Sequence, residues 1–506
     1  MLLAGISMLS WLEAALTALL ALGLLLTVSR HLWTLRWTLS RDRGSALPLP
    51  KGSMGWPFFG ETLHWLVQGS SFHSSRREKY GHVFKTHLLG KPVIRVTGAE
   101  NIRKILLGEH SLVSTQWPQS TQIILGSNTL LNSIGELHRQ RRKVVFSRAA
   151  LESYLPGIQK VVSWELRGWC REPGSVAVYS SAKTLTFRVA ARVLLGLSLE
   201  EKQFKDLAKT FEQLVENLFS LPLNIPFSGL RKGIKARDML HEYMEKAIME
   251  KLQRKNSEGH SDALDFLINS AKEHGKEFTM QELKESAIEL IFAAFFTTAS
   301  ASTSLILLLL KHPSTVEKIR QELMSHELHR QCHCLSPMNL DKLSRLRYLD
   351  CVIKEVLRVL PPVSGGYRTA LQTFELDGYQ IPKGWSVMYS IRDTHETAAV
   401  YQSPPESFDP DRFGSARQED GKGAGRFHYI PFGGGVRSCI GQELAKAILK
   451  LLAIELVSTA RWELATPSFP EMQTVPIVHP VDGLQLFFHP LQPGGASTRR
   501  QVSREA

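Results

Sequence analysis

Apolar positions are unevenly distributed along this 506-residue chain. Residues 8–28 read MLSWLEAALTALLALGLLLTV, with Glu13 the sole charge before Arg30. At 1.5 Å per residue, about 21 residues span roughly 30 Å, the thickness of a bilayer core. The pattern predicts a membrane-spanning helix. A cleaved signal peptide is the alternative, disfavoured by the length of the run and by the lack of a basic stretch before it. Arg30, Arg36, Arg41 and Arg43 follow, with Trp33 and Trp37 among them. Basic residues and Trp beside a span mark its cytoplasmic end, so the start faces the lumen and the rest the cytosol. A Pro/Gly-rich stretch comes next, containing Pro48, Pro50, Gly52, Gly55, Pro57 and Gly60. Proline holds extended backbone and glycine permits turns, which suits a semi-rigid hinge.

Beyond the hinge the periodicity changes twice. HVFKTHLL (82–89) and PVIRVTG (92–98) alternate apolar and polar positions loosely, as strands of a hairpin do. From about 100 to 360, Leu, Ile and Ala recur at three- and four-residue steps, the helical period. ELKESAIELIFAAFFTTASASTSLILLLLKH (282–312) is too long and too apolar for a surface helix. Its polar start and its Thr/Ser cluster argue against a second span, so it predicts a helix buried all round. Residues 360–395 return to β character. GGASTRRQVSREA (494–506) is a polar basic tail with the composition of a disordered end. The expected organisation is an anchor (1–30), a basic hinge (31–60), one mainly α domain with a smaller β region (61–493) and the tail (494–506).

Composition sharpens this picture. Hydrophobic residues at 43% and charged residues at 22% are globular values and exclude a largely disordered chain. Lys+Arg number 61 against 48 Asp+Glu, an excess of 13 positive charges. No zinc-finger spacing, RNA-binding aromatic signature or long basic run accompanies it, so a lipid surface or an acidic protein partner fits better than nucleic acid. Five cysteines, an odd and low number, argue against a disulfide scaffold and for a reducing compartment. His333 between Cys332 and Cys334 lacks a second ligand pair and reads as a surface loop rather than a metal site.

The most informative stretch is PFGGGVRSCIGQELAKAILK (431–450). Phe432, Gly435, Cys439 and Gly441 form F-x-x-G-x-x-x-C-x-G, a match arising by chance about once in a thousand chains of this composition. A Cys thiolate on the axial position of a haem iron pushes electron density toward bound oxygen and favours O–O cleavage. It needs backbone N–H donors and a dry pocket to stay ionised. Glycines let the backbone approach the porphyrin where a Cβ would collide. Phe432 packs on the thiolate side, Arg437 suits a haem propionate, and a helix starting near Ile440 points its positive end at the sulfur. A glycine-rich turn with an inert buried Cys is the bland alternative.

With these residues the chain resembles the cytochrome P-450 superfamily of haem-thiolate monooxygenases. Further matches lie in the expected order. Glu355 and Arg358 form E-x-x-R on one helix face, and Arg412 in FDPDRF completes the family's buried Glu–Arg–Arg network. His138 and Arg142 in HRQRRK and Arg368 in PVSGGYRT match propionate contacts. In AAFFTT (293–298), Thr297 matches the Thr beside bound oxygen, with Thr298 following it. Two departures stand out: Ala294 replaces the common Gly, and Phe296 stands where an acid usually precedes the Thr. Proton delivery is then expected through Thr297, Thr298 and water. A third departure is local. RRKVVFSRAALESY is about three residues shorter than the family pattern, which rotates a continuing helix by most of a turn.

Longer segments, among them LPLPKGSMGWPFFGETLHWL and LQTFELDGYQIPKGWSVMYSIRDTH, resemble the vertebrate retinoic-acid hydroxylases of family twenty-six, C subfamily. The resemblance implies haem b as cofactor and hydroxylation of all-trans-retinoic acid, chiefly at C4, with the 9-cis isomer a further candidate. It also implies the endoplasmic reticulum membrane and electrons from NADPH through the microsomal cytochrome P-450 reductase, since no dinucleotide-binding βαβ unit is evident. Basic residues including Arg139, Arg141, Lys143, Lys446 and Lys450 are candidate contacts for an acidic reductase. A retinoid is an apolar rod ending in a carboxylate, so its site calls for aromatic and aliphatic walls and one cation. Candidate walls are Trp117, Phe219, Phe227, Phe295, Phe296, Pro362, Val363 and Val478, with Arg95 for the carboxylate. For each wall residue, plain core packing is about as good a reading. Competing functions are a haem-thiolate isomerase or dehydratase needing no reductase, a non-catalytic haem-containing retinoid-binding protein, and Cys439 as a hydrolytic nucleophile.

Overall fold

The structure is a computed structural model. It describes residues 2–69, 71–115, 117–130, 148–197, 199–253, 262–265, 268, 278–328, 337–398, 400–401, 403–414, 427–474 and 477–491. In chain order the principal helices are α1 (Leu2–Leu39), α2 (Thr62–Gln68), α3 (Ser71–Tyr80), α4 (Ala99–Leu107), α5 (Gln119–Leu125), α6 (Arg148–Trp169), α7 (Val178–Val189), α8 (Glu201–Glu216), α9 (Gly229–Gln253), α10 (Met280–Lys311), α11 (Pro313–Ser325), α12 (Leu340–Arg345), α13 (Arg347–Val359) and α14 (Gln442–Thr459). The strands are β1 (Val83–Leu88), β2 (Lys91–Val96), β3 (Val113–Thr115), β4 (Val176–Ala177), β5 (Gly365–Ala370), β6 (Phe374–Leu376), β7 (Tyr379–Ile381), β8 (Ser386–Ser390), β9 (Ala460–Leu464), β10 (Met472–Gln473), β11 (His479–Pro480) and β12 (Gln485–Pro490). The mainly α architecture with a smaller β region is as the periodicity implies. The residues cluster into two compact units, 1–116 with 365–394, and 117–364 with 395–506.

The first unit is built on a five-stranded sheet in the order β1-β2-β8-β5-β3. β1 and β2 form the expected antiparallel hairpin, Val83 opposite Val96 and Leu88 opposite Lys91. Its turn residues Leu89 and Gly90 both have positive φ, which matches the twist of the flanking strands. β2 pairs in parallel with β8, and β5 runs antiparallel to both β8 and β3. The amino-terminal helix does not stop at the expected anchor boundary. α1 continues to Leu39, and its last turns pack on this unit. Trp33 is buried, donates from its indole N–H to the Met54 carbonyl at 3.1 Å, and meets Trp37 and His87 edge-on. The segment between Glu13 and Leu39 is long and apolar enough to cross a membrane.

The second unit is organised around α10. Thr279 and Glu282 form a reciprocal capping box at its start, and Pro313 follows its end, where helical backbone is disfavoured. α10 also has the length and apolarity of a span, but its most apolar stretch is 72% buried, as a core helix requires. α7 lies along it: Phe187 meets Phe295 at 5.2 Å, and Thr186 Oγ1 donates to the Phe295 carbonyl at 3.0 Å. α14 packs against α6 and α10. Two buried carboxylates near the start of α10 hold the loop before residue 131. Glu285 accepts from the Asn128 N–H at 2.7 Å and Glu289 from the Leu130 N–H at 2.6 Å. Gly126 makes room for the first of these, since a Cβ there would lie 2.2 Å from the Glu285 carboxyl carbon.

Candidate active site

The Cys439 loop leads directly into the amino end of α14. Pro431 and three glycines carry the chain from Ile430 to the short 3-10 turn Gly435–Arg437. Gly435 has φ +64, a conformation that L side chains rarely adopt. The loop closes on itself: the Gly433 N–H donates to the Ile430 carbonyl at 2.9 Å and the Cys439 N–H to the Phe432 carbonyl at 2.9 Å. Gly441 is the residue before α14, so the helix begins two residues later than expected, with its amino end still beside the cysteine. Phe432 is partly buried against the main core, and Lys446 Nζ lies 5.8 Å from its ring.

Cys439 is the exposed one of three free cysteines among the described residues, with Cys170 and Cys351 partly buried. Burial pushes the thiols of Cys170 and Cys351 up, away from thiolate chemistry. Among the described residues no group of three His, Cys, Asp or Glu side chains is placed to hold a bare metal ion. An accessible sulfur in a glycine-rich cradle at a helix amino end would serve as the protein ligand of an iron whose other ligands come from a macrocycle. The residues present therefore fit a haem.

Behind the loop sits the predicted ion network, fully enclosed. Arg358 donates Nε to Glu355 at 2.7 Å and a terminal nitrogen to its other oxygen at 2.9 Å. Arg412 Nε reaches Glu355 at 3.3 Å, and the Asp409 N–H donates to it at 2.9 Å. The remaining guanidinium N–H groups find backbone carbonyls of Ser403, Pro404, Pro405 and Ser407. One carboxylate thus pins two arginines, and the arginines pin the loop after residue 402. Tyr401 covers both guanidinium groups, with its ring centre 5.5 Å from one and 5.1 Å from the other. Burial pushes its hydroxyl up to about 12.

On α10, Thr297 is half-buried and donates its hydroxyl to the Ala293 carbonyl one turn back, at 2.6 Å. Thr298 is buried. Three residues further on, Ser300 Oγ donates to the Val478 carbonyl, while the Val478 N–H donates to the Pro362 carbonyl at 3.1 Å. The structure thus brings Pro362 and Val478 together, one turn from Thr297. Val363 beside them is exposed. Trp117 is half-buried ahead of α5, its carbonyl accepting from Gln122.

Several expected site residues are placed otherwise. Phe295 is 1% exposed and packs between Phe187 and Phe296. Phe296 turns toward α7, where Lys183 Nζ lies 5.9 Å from its ring. Phe219 and Phe227 stand on the surface, Phe227 91% exposed and at positive φ. Arg95 lies deep in the sheet. It is 5% exposed, donates Nε to His73 Nδ1 at 2.9 Å and another nitrogen to the Met388 sulfur. These two bonds hold the guanidinium within the sheet and use two of its five N–H donors. Arg368, on β5, meets its charge in Glu109 at 2.6 Å. Lys450 is buried on the Leu343 carbonyl and Asp350, so it is no docking cation, and Lys446 pairs with Glu443. His138, Arg142 and the shortened stretch after them lie outside the described residues, as do Arg139, Arg141, Lys143 and the Cys332–Cys334 segment.

Sequence reasoning missed Ser300, Tyr401 and His395. Each lies among other polar residues that the sequence does not rank, and only its partners give it meaning.

An exposed cysteine in a glycine-rich loop, joined to a buried Glu–Arg–Arg network in a unit built on a long Thr-bearing core helix, marks a haem-thiolate enzyme. A family model described as Cytochrome P450 matches residues 50–487, and the chain belongs to that family. It is 69% identical to Cytochrome P450 26C1 of Homo sapiens over 97% of this chain and 98% of that one. Identity to Cytochrome P450 26B1 of Homo sapiens is 60%, over 96% of each chain. The higher figure for the former places the chain in family twenty-six, on its C branch. Among solved structures, the retinoic acid bound cyanobacterial CYP120A1 superposes with a TM-score of 0.78 and 36% identity, covering 88% of this chain and all of that one.

Proposed function

We propose that this protein is a monooxygenase that hydroxylates retinoic acid, chiefly all-trans and at C4, in retinoid breakdown. The observation that carries the substrate is the 36% identity, over nearly nine-tenths of the chain, to a protein solved with retinoic acid bound. Haem b, held through Cys439, supplies the oxygen-activating chemistry when bound. The chain's own residues do the rest. The glycine cradle and the α14 amino end stabilise a thiolate at Cys439 Sγ, through backbone N–H groups and the helix dipole. Glu355, Arg358 and Arg412 hold the loop's supporting backbone in one conformation. The Thr297 hydroxyl, anchored by its bond to Ala293, keeps its lone pairs available to accept a hydrogen bond from an oxygen-derived group or a water. Phe296 cannot relay a proton, so the route runs through Thr297 and water. Pro362 and Val478, locked together by backbone and Ser300, offer a firm apolar surface for a polyene.

Electrons come from NADPH through a separate cytochrome P450 reductase, and α1 anchors the protein in the endoplasmic reticulum membrane with the rest in the cytosol. The deciding experiment is incubation of membranes holding this protein with reductase, NADPH and all-trans-retinoic acid, with product analysis. A 4-hydroxylated product that requires NADPH is expected. Product formation without NADPH or reductase would point to isomerase or dehydratase chemistry, and binding without product to a retinoid-binding role.

A further inference from the structure

His395 is enclosed in the second unit, between the end of α13 and the strand of chain that leads into the Cys439 loop. Its Nε2 accepts the Ile430 N–H at 2.9 Å, and its Nδ1 lies 3.1 Å from the Arg358 carbonyl. Both partners are fixed in role, because an amide N–H only donates and a carbonyl only accepts. The ring is therefore the neutral tautomer with its proton on Nδ1. Tyr429 stacks against it at 5.5 Å. Ile430 is where the cysteine loop starts, since its carbonyl takes the Gly433 N–H. Arg358 belongs to the Glu355 network. One imidazole thus joins the network to the loop.

We infer that His395 is a positioning residue that transmits the rigidity of the Glu355–Arg358–Arg412 network to the Cys439 loop and so holds the sulfur in register. The inference rests on the reading of Cys439 as the haem ligand. Burial holds the imidazole down to about 3, so the latch stays neutral and closed throughout the working range. A protonated ring would present an N–H to the Ile430 N–H and open it.

The two bonds are separable by substitution. His395→Phe keeps a ring against Tyr429 and removes both. His395→Asn places an amide N–H near the Nδ1 position and keeps the bond to Arg358 alone. His395→Gln places an amide oxygen near Nε2 and keeps the bond from Ile430 alone. In the haem-loaded proteins, two readouts are taken: amide hydrogen exchange over residues 427–434, and the share of the reduced carbon-monoxide Soret band in the thiolate form. A purely structural role lowers the melting temperature without changing that share in folded protein. We expect His395→Phe and His395→Asn to exchange about tenfold or more faster at Ile430 and to lose a several-fold share of the thiolate band, with His395→Gln close to the unsubstituted chain. If His395→Phe does not fold, the Asn and Gln variants decide between themselves. Equal exchange and equal thiolate share across the variants would overturn the inference. An unsubstituted chain with no thiolate band would instead overturn the reading of Cys439.

Discussion

Glu355 shows how much one side chain decides here. Its carboxylate lies among two guanidinium groups and a backbone N–H, with no exposure to water. Removing one member of such a buried set leaves charge uncompensated, at about 3–5 kcal/mol. Glu355→Gln is expected to lower the unfolding free energy by that amount and to release haem, whereas an exposed pair such as Lys246–Glu242 is worth little when broken. Denaturant titration of the two variants measures the contrast. Thr297 makes a different prediction. Its hydroxyl bonds within its own helix, so Thr297→Ala should cost little stability. It is expected to raise oxygen consumed per product formed. Unchanged coupling, read with an oxygen electrode beside product assay, would remove Thr297 from proton delivery. Cys439, Glu355, Arg358 and Arg412 were legible because motif spacing carries their chemistry. Arg95 was not, because a strand residue's orientation toward core or ligand depends on which strand pairs with it, and here β8 brings Met388 alongside.

At the scale of elements, the apolar period marked α10 as a core helix and the amino-terminal run as a span. The boundary of α1 was less visible. Residues 30–39 read as a basic flank, yet they continue the helix, because Trp33 and Trp37 find partners in Met54, His87 and Trp385. Two functions are joined in one helix: its apolar part is suited to lipid and its last turns are bound to protein. Deleting residues 2–29 should therefore shift the chain from membranes to the soluble fraction while the fold survives. Trp33→Ala should leave membrane partition intact and destabilise by about 3–5 kcal/mol. Flotation of the two variants, with thermal melts, separates these effects. Equal membrane partition after the deletion would place anchoring elsewhere.

For the whole molecule, buried neutral histidines set the acid limit. His395 is held down to about 3 and His87 to about 4, both chiefly by burial. His73 lies well below its usual value through burial and the nearby charges of Arg95 and Arg77. Unfolded, each takes up a proton near 6.5. Between those limits the unfolded chain binds more protons, so stability rises with pH through the window and is lost as pH falls from about 6.5 toward 4. Urea midpoints measured across that range should climb with pH, and a variant carrying His87→Phe should climb less. A flat profile would mean that these rings are protonated in the fold.

The mainly helical character with a smaller β region, the apolar amino-terminal run and the glycine-rich cysteine loop were legible in the sequence itself. Periodicity, charge flanks and glycine spacing are local properties, and local rules read them. Where individual side chains lie, in the core, on the surface or tied between elements, was decided by packing. Phe295 and Arg95 went into the core, Phe219 and Phe227 to the surface, and His395 between a network and a loop. Burial is a sum over neighbours distant in the chain, and the partner that gives a buried polar group its role is chosen only when those neighbours meet.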